Sequence, residues 1–213
     1  MKLNTKRTML VGLAFLSICI FWQMYDSVMT LILTDTFHLN ETIAGAVMAA
    51  DNVLALFLLP LFGALSDKTN TRIGRRMPYI IGGTAAAVIL MNLLPVLDNA
   101  YAASPSPLIL GLFIAALALL LVAMGVYRSP AVALMPDVTP KPLRSRGNAV
   151  INLMGAVGGI LYLALAAVLY PASRKVAGHV DYQPLFIIVS LIMAAAVLAL
   201  ALTVKEKKLS EEN

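Results

Sequence analysis

The chain holds a single cysteine, Cys19, and two histidines, His38 and His179. One cysteine excludes an intramolecular disulfide, a redox pair and a cysteine-based zinc site. The two histidines have no partners at ligand spacing, so no metal site is expected. Charge is scarce: 13% of the 213 residues are Asp, Glu, Lys or Arg, about half the share of a soluble domain. No nucleophile elbow, phosphate loop or HExxH pattern occurs, so neither an enzyme nor a bound cofactor is expected. Low-complexity linkers and soluble domains are missing as well.

What the chain has is apolar sequence, 60% of its residues, with a mean hydropathy of +0.86. It falls into six blocks, at about 8–33, 42–65, 77–97, 106–127, 148–170 and 184–204. Each block can cross a hydrocarbon core of roughly 30 Å, which takes about 20 helical residues. None alternates like a barrel strand. The spacing predicts an all-α membrane protein, a single six-helix bundle over residues 1–213. The basic start resembles a signal peptide, but its apolar run continues past Phe21 with no small-x-small cleavage site, so a retained first helix is expected. The segment Asp98 to Pro107, rich in Ala, Ser and Pro, reads as a flexible outer loop.

The net charge of +5 does not indicate a nucleic-acid partner once the charges are located. Lys2, Lys6 and Arg7 precede the first block. Lys68, Arg72, Arg75 and Arg76 follow the second, Lys141, Arg144 and Arg146 follow the fourth, and Lys205, Lys207 and Lys208 follow the sixth. Only Arg174 and Lys175 fall on the other side, while Arg128 is placed at the inner end of the fourth helix. The positive-inside rule then puts both termini in the cytoplasm and the bundle in a plasma (inner) membrane.

The most specific stretch runs Gly63-Ala-Leu-Ser-Asp67-Lys68-Thr-Asn-Thr-Arg72-Ile-Gly74-Arg75-Arg76-Met-Pro78-Tyr79. Gly63 permits close helix approach, Gly74 frees the backbone for a turn, and the arginines offer donors to carboxylates or lipid phosphates. A generic basic loop explains the arginines but neither Asp67 nor the glycines. A second stretch runs from Arg128-Ser-Pro130 through Pro136-Asp137-Val-Thr139-Pro140 to Arg144-Ser-Arg146-Gly-Asn148.

The first stretch resembles the signature loop of the major facilitator superfamily, in the expanded form of the sucrose-carrier and glycoside-pentoside-hexuronide branch. The second is similar to the junction of the fourth and fifth helices in that branch. The resemblance covers about Phe21 to Gly159. It implies two three-helix inverted repeats, half of a twelve-helix fold whose substrate site lies at the midplane between halves. Helices one and four are then expected to face the other half, and three and six to face lipid. Gly63, Asp67, Arg72, Gly74, Arg75, Arg76 and Asp137 are implied as a cytoplasmic gate. Melibiose-type relatives hold sodium on aspartates of the second helix. Here those positions are Ala55 and Leu59, so a proton is the better coupling ion and sodium fits less well.

Ionisable residues inside apolar blocks are costly and mark function by default. Asp26 has Trp22 four residues before it, Gln23 a turn before and Tyr25 adjoining. An aromatic ring beside a carboxylate suits a sugar; an interfacial aromatic belt with a snorkelling acid is the alternative. Asp51 and Asn52 lie near the middle of the second helix, where a carboxylate loses hydration and suits a proton acceptor, or else makes a structural hydrogen bond to a neighbouring helix. Arg128 can pair with Asp51, hold a substrate hydroxyl or snorkel to the surface. Asn148, Asn152, Gly155, Gly159 and Tyr162 trace one helical face, of packing or of a cavity.

The expected function is half of a proton-coupled sugar or glycoside carrier, partnered by a carboxy-terminal six-helix half or a second copy of itself. The alternative is a truncated or non-transporting membrane subunit that assembles with another membrane protein.

Overall fold

A computed structural model describes residues 4–171 and 178–206. Lys2, Arg174, Lys175, Lys207 and Lys208 lie outside the described residues. Among the described residues there are six helices long and apolar enough to cross a membrane, and no strands. Helix α1 spans Thr5–Thr36; it is α-helical over Thr5–Met24 and π-helical over Tyr25–Met29 and Ile32–Thr36. The others are α2 Glu41–Lys68, α3 Met77–Ala103, α4 Pro107–Asp137, α5 Arg144–Leu169 and α6 Gln183–Thr203.

Asn4, Asn40 and Ser106 start α1, α2 and α4 by accepting N–H groups of the first turn, as Asn and Ser do at helix starts. Helices α3 and α4 run furthest past their apolar blocks. The segment after Leu97 is not a loop: α3 continues to Ala103, with Asp98 fully buried and Tyr101 packed on Phe37. Helix α4 continues past Tyr127, through Pro130 and Pro136, to Asp137. Prolines are tolerated inside membrane helices where neighbouring groups meet the freed backbone.

Helix α1 packs against α5 and α6, while α4 packs against α2 and α3, and α3 meets α6. Exchanging α1 with α4, α2 with α5 and α3 with α6 leaves that set of contacts unchanged. With the two crossings of α2 and α3 between them, α1 and α4 run antiparallel, so the repeat is inverted. Close backbone approach holds the α1–α5 seam: a Cβ on Gly158 would lie 2.3 Å from the Leu16 carbonyl oxygen. The core between helices is apolar, built around Ile20, Phe21, Met24, Phe113, Tyr127 and Phe186.

Burial is uneven, with 56% of the most apolar window of α1 covered against 6% for α2 and 22% for α5. The open flanks of α2 carry Val53, Leu56, Phe57 and Leu61. Along its length α6 is apolar; only Leu185, in its first turn, reaches the polar cavity at the bundle end lined by Tyr162, Tyr170, His179 and Asp181. Ser190 of α6 is buried and accepts from Asn92 Nδ2 of α3 at 2.9 Å, and the groove between α3 and α6 is walled by residues such as Ile81, Val88, Val197 and Leu198.

Candidate functional site

Polar residues gather at three levels. The first is the helix end shared by the α2–α3 loop, the α4–α5 junction and the residues after α6. Arg76 is buried there and its guanidinium is used from every side. Nε donates to Asp137 Oδ2 at 2.9 Å, Nη1 to the Gly63 carbonyl at 3.2 Å and to the Ser66 hydroxyl, and Nη2 to Asp67. Arg75 Nη2 lies 2.9 Å from the second oxygen of Asp137. Asp137, on the last turn of α4, therefore ties together the two repeats through a fork of two arginines. Arg72 stands apart, exposed and making no ion pair among the described residues.

The residue that completes this cluster is Glu206, just beyond α6 and not singled out in the sequence. Its buried carboxylate accepts the backbone N–H groups of Arg75, Arg76 and Met77 at 2.9 to 3.1 Å. A carboxylate at a helix start satisfies orphan donors and complements the helix dipole. Gly74 has φ +122°, and a Cβ there would lie 2.2 Å from Glu206 Oε2. Only glycine provides both the left-handed turn and the space.

The second level is near the middle of the helices. Asp51 lies ten residues into α2, about 15 Å along it, or half the hydrocarbon thickness. Trp22, Asp51, Leu54, Leu58, Met124 and Arg128 line a narrow cleft between α1, α2 and α4. Because α4 continues to Asp137, Arg128 is nine residues, about 13 Å, from the end of its helix rather than at that end. Its guanidinium carbon sits over the Trp22 ring, 5.5 Å from the centroid, a cation–π contact. It makes no ion pair with Asp51. The Asp51 carboxylate takes only local donors, Asn52 N at 2.6 Å and Asn52 Nδ2 at 2.8 Å, so the structure contains no hydrogen bond from it to another helix. Tyr25 and Trp22 pack at 5.3 Å between rings, and neither the Tyr25 hydroxyl nor the Trp22 Nε1 has a hydrogen-bond partner.

Asp26 is exposed one turn beyond Trp22, inside the first π-helical segment; such segments inside α-helices are frequent at functional sites. Gln23 is exposed beside Gly159 of α5. Asn52, Asn148 and Asn152 are exposed as well. The α5 stripe divides: Gly155 and Tyr162 are buried with Gly158 and Ile151 against α1, while Asn148 and Asn152 stand outside that seam. At 3.6 residues per turn, the packed face centres on Ile151, Gly158 and Tyr162, and the asparagines fall on its edge. Tyr127, not singled out in the sequence, joins α4 to α1 at this level by donating to the Ala14 carbonyl at 2.9 Å and meeting the Ser17 hydroxyl.

The third level is the opposite end of the bundle. His179, read in sequence as having no partners at metal-ligand spacing, faces Asn99 Oδ1 at 2.7 Å, Thr36 Oγ1 at 3.3 Å and Asp98 Oδ2 at 3.7 Å.

Residues 11–213 match the Major Facilitator Superfamily. The chain belongs to that superfamily. As a family member with six apolar helices it is an integral membrane protein. It is 27% identical over 187 residues to an uncharacterised symporter of Synechocystis sp. (strain ATCC 27184 / PCC 6803 / Kazusa), a match covering 82% of this chain and 32% of that protein. It is 35% identical over 83 residues to YdfJ of Escherichia coli (strain K12), a candidate transporter by name, across 38% of this chain and 18% of the relative. The chain therefore spans about a third or less of the length of these curated relatives.

Proposed function

We propose that this chain forms one half of a proton-coupled sugar or glycoside carrier of the sucrose-carrier and glycoside-pentoside-hexuronide type. The observation that carries this reading is the cleft in which Trp22, Asp51 and Arg128 meet at half-depth. At about 20 Å³ the cleft is too narrow for a sugar as it stands; opened against a second bundle, it would offer the Trp22 ring to the apolar side of a sugar, with the Asp51 carboxylate and the Arg128 guanidinium for its hydroxyls or a proton. Asp51 is the one carboxylate of the cleft, with Ala55 and Leu59 as apolar neighbours; that arrangement suits a proton better than sodium, which takes several oxygen ligands.

Transport then proceeds by rocking of this bundle against a second six-helix bundle, supplied by a further segment, a separate chain or another copy. The second bundle covers the open faces of α2 and α5 and brings Asp26, Asn52, Asn148 and Asn152 to the substrate. The charged end, with both termini, lies in the cytoplasm, and the Asp67, Arg75, Arg76 and Asp137 cluster with Gly63 and Gly74 forms part of the closure there.

Trp22 is the only tryptophan, so the chain's indole fluorescence reports on this cleft alone. Titration with a panel of mono- and disaccharides and glycosides, in detergent and with the second bundle present, should give saturable changes for one class of sugar. Arg128→Ala should weaken that response. A response equal for sugars and for unrelated osmolytes contradicts the sugar assignment and favours the non-transporting subunit.

A further inference from the structure

At the end of the bundle opposite the Arg76 cluster, Asp98 of α3 is fully buried and neither of its oxygens has a hydrogen-bond partner. An ionised carboxylate left that way in an apolar site is costly, and the cost disappears when the group is protonated or faces a cation. Its neighbour is the imidazole of His179, from the segment that leads into α6.

The hydrogen bonds around His179 fix one proton and leave a place for a second. Asn99 Nδ2 donates to Asp181 Oδ1 at 2.8 Å, so the Asn99 carbonyl oxygen is the atom turned to the ring. It can only accept. Nε2, 2.7 Å away, therefore carries hydrogen. Nδ1 faces the Thr36 hydroxyl at 3.3 Å, a group that both donates and accepts. Nδ1 can thus be protonated or bare without losing its partner. Asp98 Oδ2 lies 3.7 Å from Nε2, within reach of the ring's charge.

We propose that Asp98 and His179 form a site for one proton that fastens the segment 178–183 across the ends of α1 and α3. With the proton present, either Asp98 is neutral or an imidazolium faces its carboxylate, and the buried group is compensated. When the proton leaves, a bare buried carboxylate faces a neutral ring, and the segment is released. Asp181 strengthens the fastening by accepting from Asn99 and from the N–H of Gln183 at 2.9 Å, while Tyr170 donates to its carbonyl at 2.8 Å. The charged and titratable groups around the pair are Asp181 and Tyr182 from the same segment, Asp35 from the end of α1, His38 just after it and Tyr101 from α3, with the neutral Thr36 hydroxyl between them. Burial raises the Tyr182 hydroxyl, with Asp35 and Asp98 adding to it, so Tyr182 stays neutral while the pair titrates. No group of three or more His, Cys, Asp and Glu residues placed to hold a metal occurs among the described residues, so the ligand is the proton and not a metal ion.

This inference is independent of the sugar reading. The test uses the full chain in lipid nanodiscs. Hydrogen exchange of residues 178–183, corrected for the intrinsic pH dependence of exchange, should show protection falling about tenfold from mildly acidic to alkaline pH, the factor for one buried charge-assisted bond. Asp98→Asn, which keeps the shape and removes the charge, should flatten that dependence. In nitrogen NMR of histidine-labelled chain carrying His38→Gln, the alkaline form of His179 should be the Nε2–H tautomer. Wild-type protection that does not change with pH overturns the proposal even if Asp98→Asn fails to fold. So does an Nδ1–H tautomer, or a His179 signal displaced by zinc at constant pH.

Discussion

Asp137 holds two arginines at once: its Oδ2 takes Arg76 Nε and its Oδ1 takes Arg75 Nη2, each at 2.9 Å. One carboxylate at the end of α4 thus anchors the start of α3, and the two repeats are joined by charge where their helices end. Arg76 is 6% and Asp137 15% exposed at the side chain, against 56% for Asp67. The partners of Arg76 therefore differ in weight. Asp137→Ala should destabilise the bundle by about 3 kcal/mol, as breaking one side of a buried pair does. Asp67→Ala should cost less than about 1 kcal/mol, the range of exposed pairs. Thermal unfolding in one detergent compares them, and equal losses contradict this ranking.

Glu206 and Gly74 should behave as one unit. Glu206→Ala strips the acceptor from three N–H groups of the α3 start, at a cost of about 1–2 kcal/mol. Gly74→Ala forces a side chain into both a left-handed turn and the Glu206 carboxylate, for about 1–3 kcal/mol. Because each change breaks the same contact, the double variant should lose clearly less than the sum of the two. Additive losses indicate that the glycine serves the turn alone.

The α1–α5 seam gives a contrast on adjacent residues. Gly158→Ala places a methyl 2.3 Å from the Leu16 carbonyl oxygen, whereas a Cβ on Gly159 meets only Gln23 Oε1 at 3.8 Å. The first substitution should lower stability by about 1–3 kcal/mol through overpacking. The second should be neutral or slightly stabilising, since Ala is the better helix former.

The spans and their inverted arrangement were legible because bilayer thickness sets helix length and because Asp67, Gly74, Arg75 and Arg76 form a specific motif. The ends of α3 and α4 were not. Asp98 and Asn99 read as loop residues because their partners, His179 and Asp181, lie some eighty positions away. The fourth apolar block ends near Tyr127, whereas the helix runs on through Pro130 and Pro136 because a packed membrane helix absorbs them. Glu206 carried no signal at all: it acts on backbone amides about 130 residues distant, which no local pattern reveals. Cavity placement was partly legible. Residue types drew attention to Trp22, Asp51 and Arg128, but the pairing of Arg128 with a ring instead of Asp51 depends on how α1 and α4 cross.

The proposed coupling role of Asp51 rests on its depth in α2. In the assembled carrier, Asp51→Asn should abolish accumulation of sugar against a gradient while leaving exchange across the membrane measurable, because the amide keeps the polar contact and loses the proton. Uphill accumulation by that variant moves the proton site elsewhere, with Asp26 the next carboxylate on the same face.

In the proposed reading this bundle is one half of a transporting machine. Its exposed face carries Asp26, Asn52, Asn148 and Asn152, and a charged residue left in hydrocarbon costs roughly 2.5–3.5 kcal/mol on the insertion scale. That cost drives association. The decisive measurement is the mass of the chain extracted in mild detergent, taken together with sugar uptake after reconstitution of the same fraction into proteoliposomes. The expected result is association with a second bundle, and uptake only in fractions that contain one. Proton-driven sugar uptake by a monomer of 22.7 kDa would contradict it.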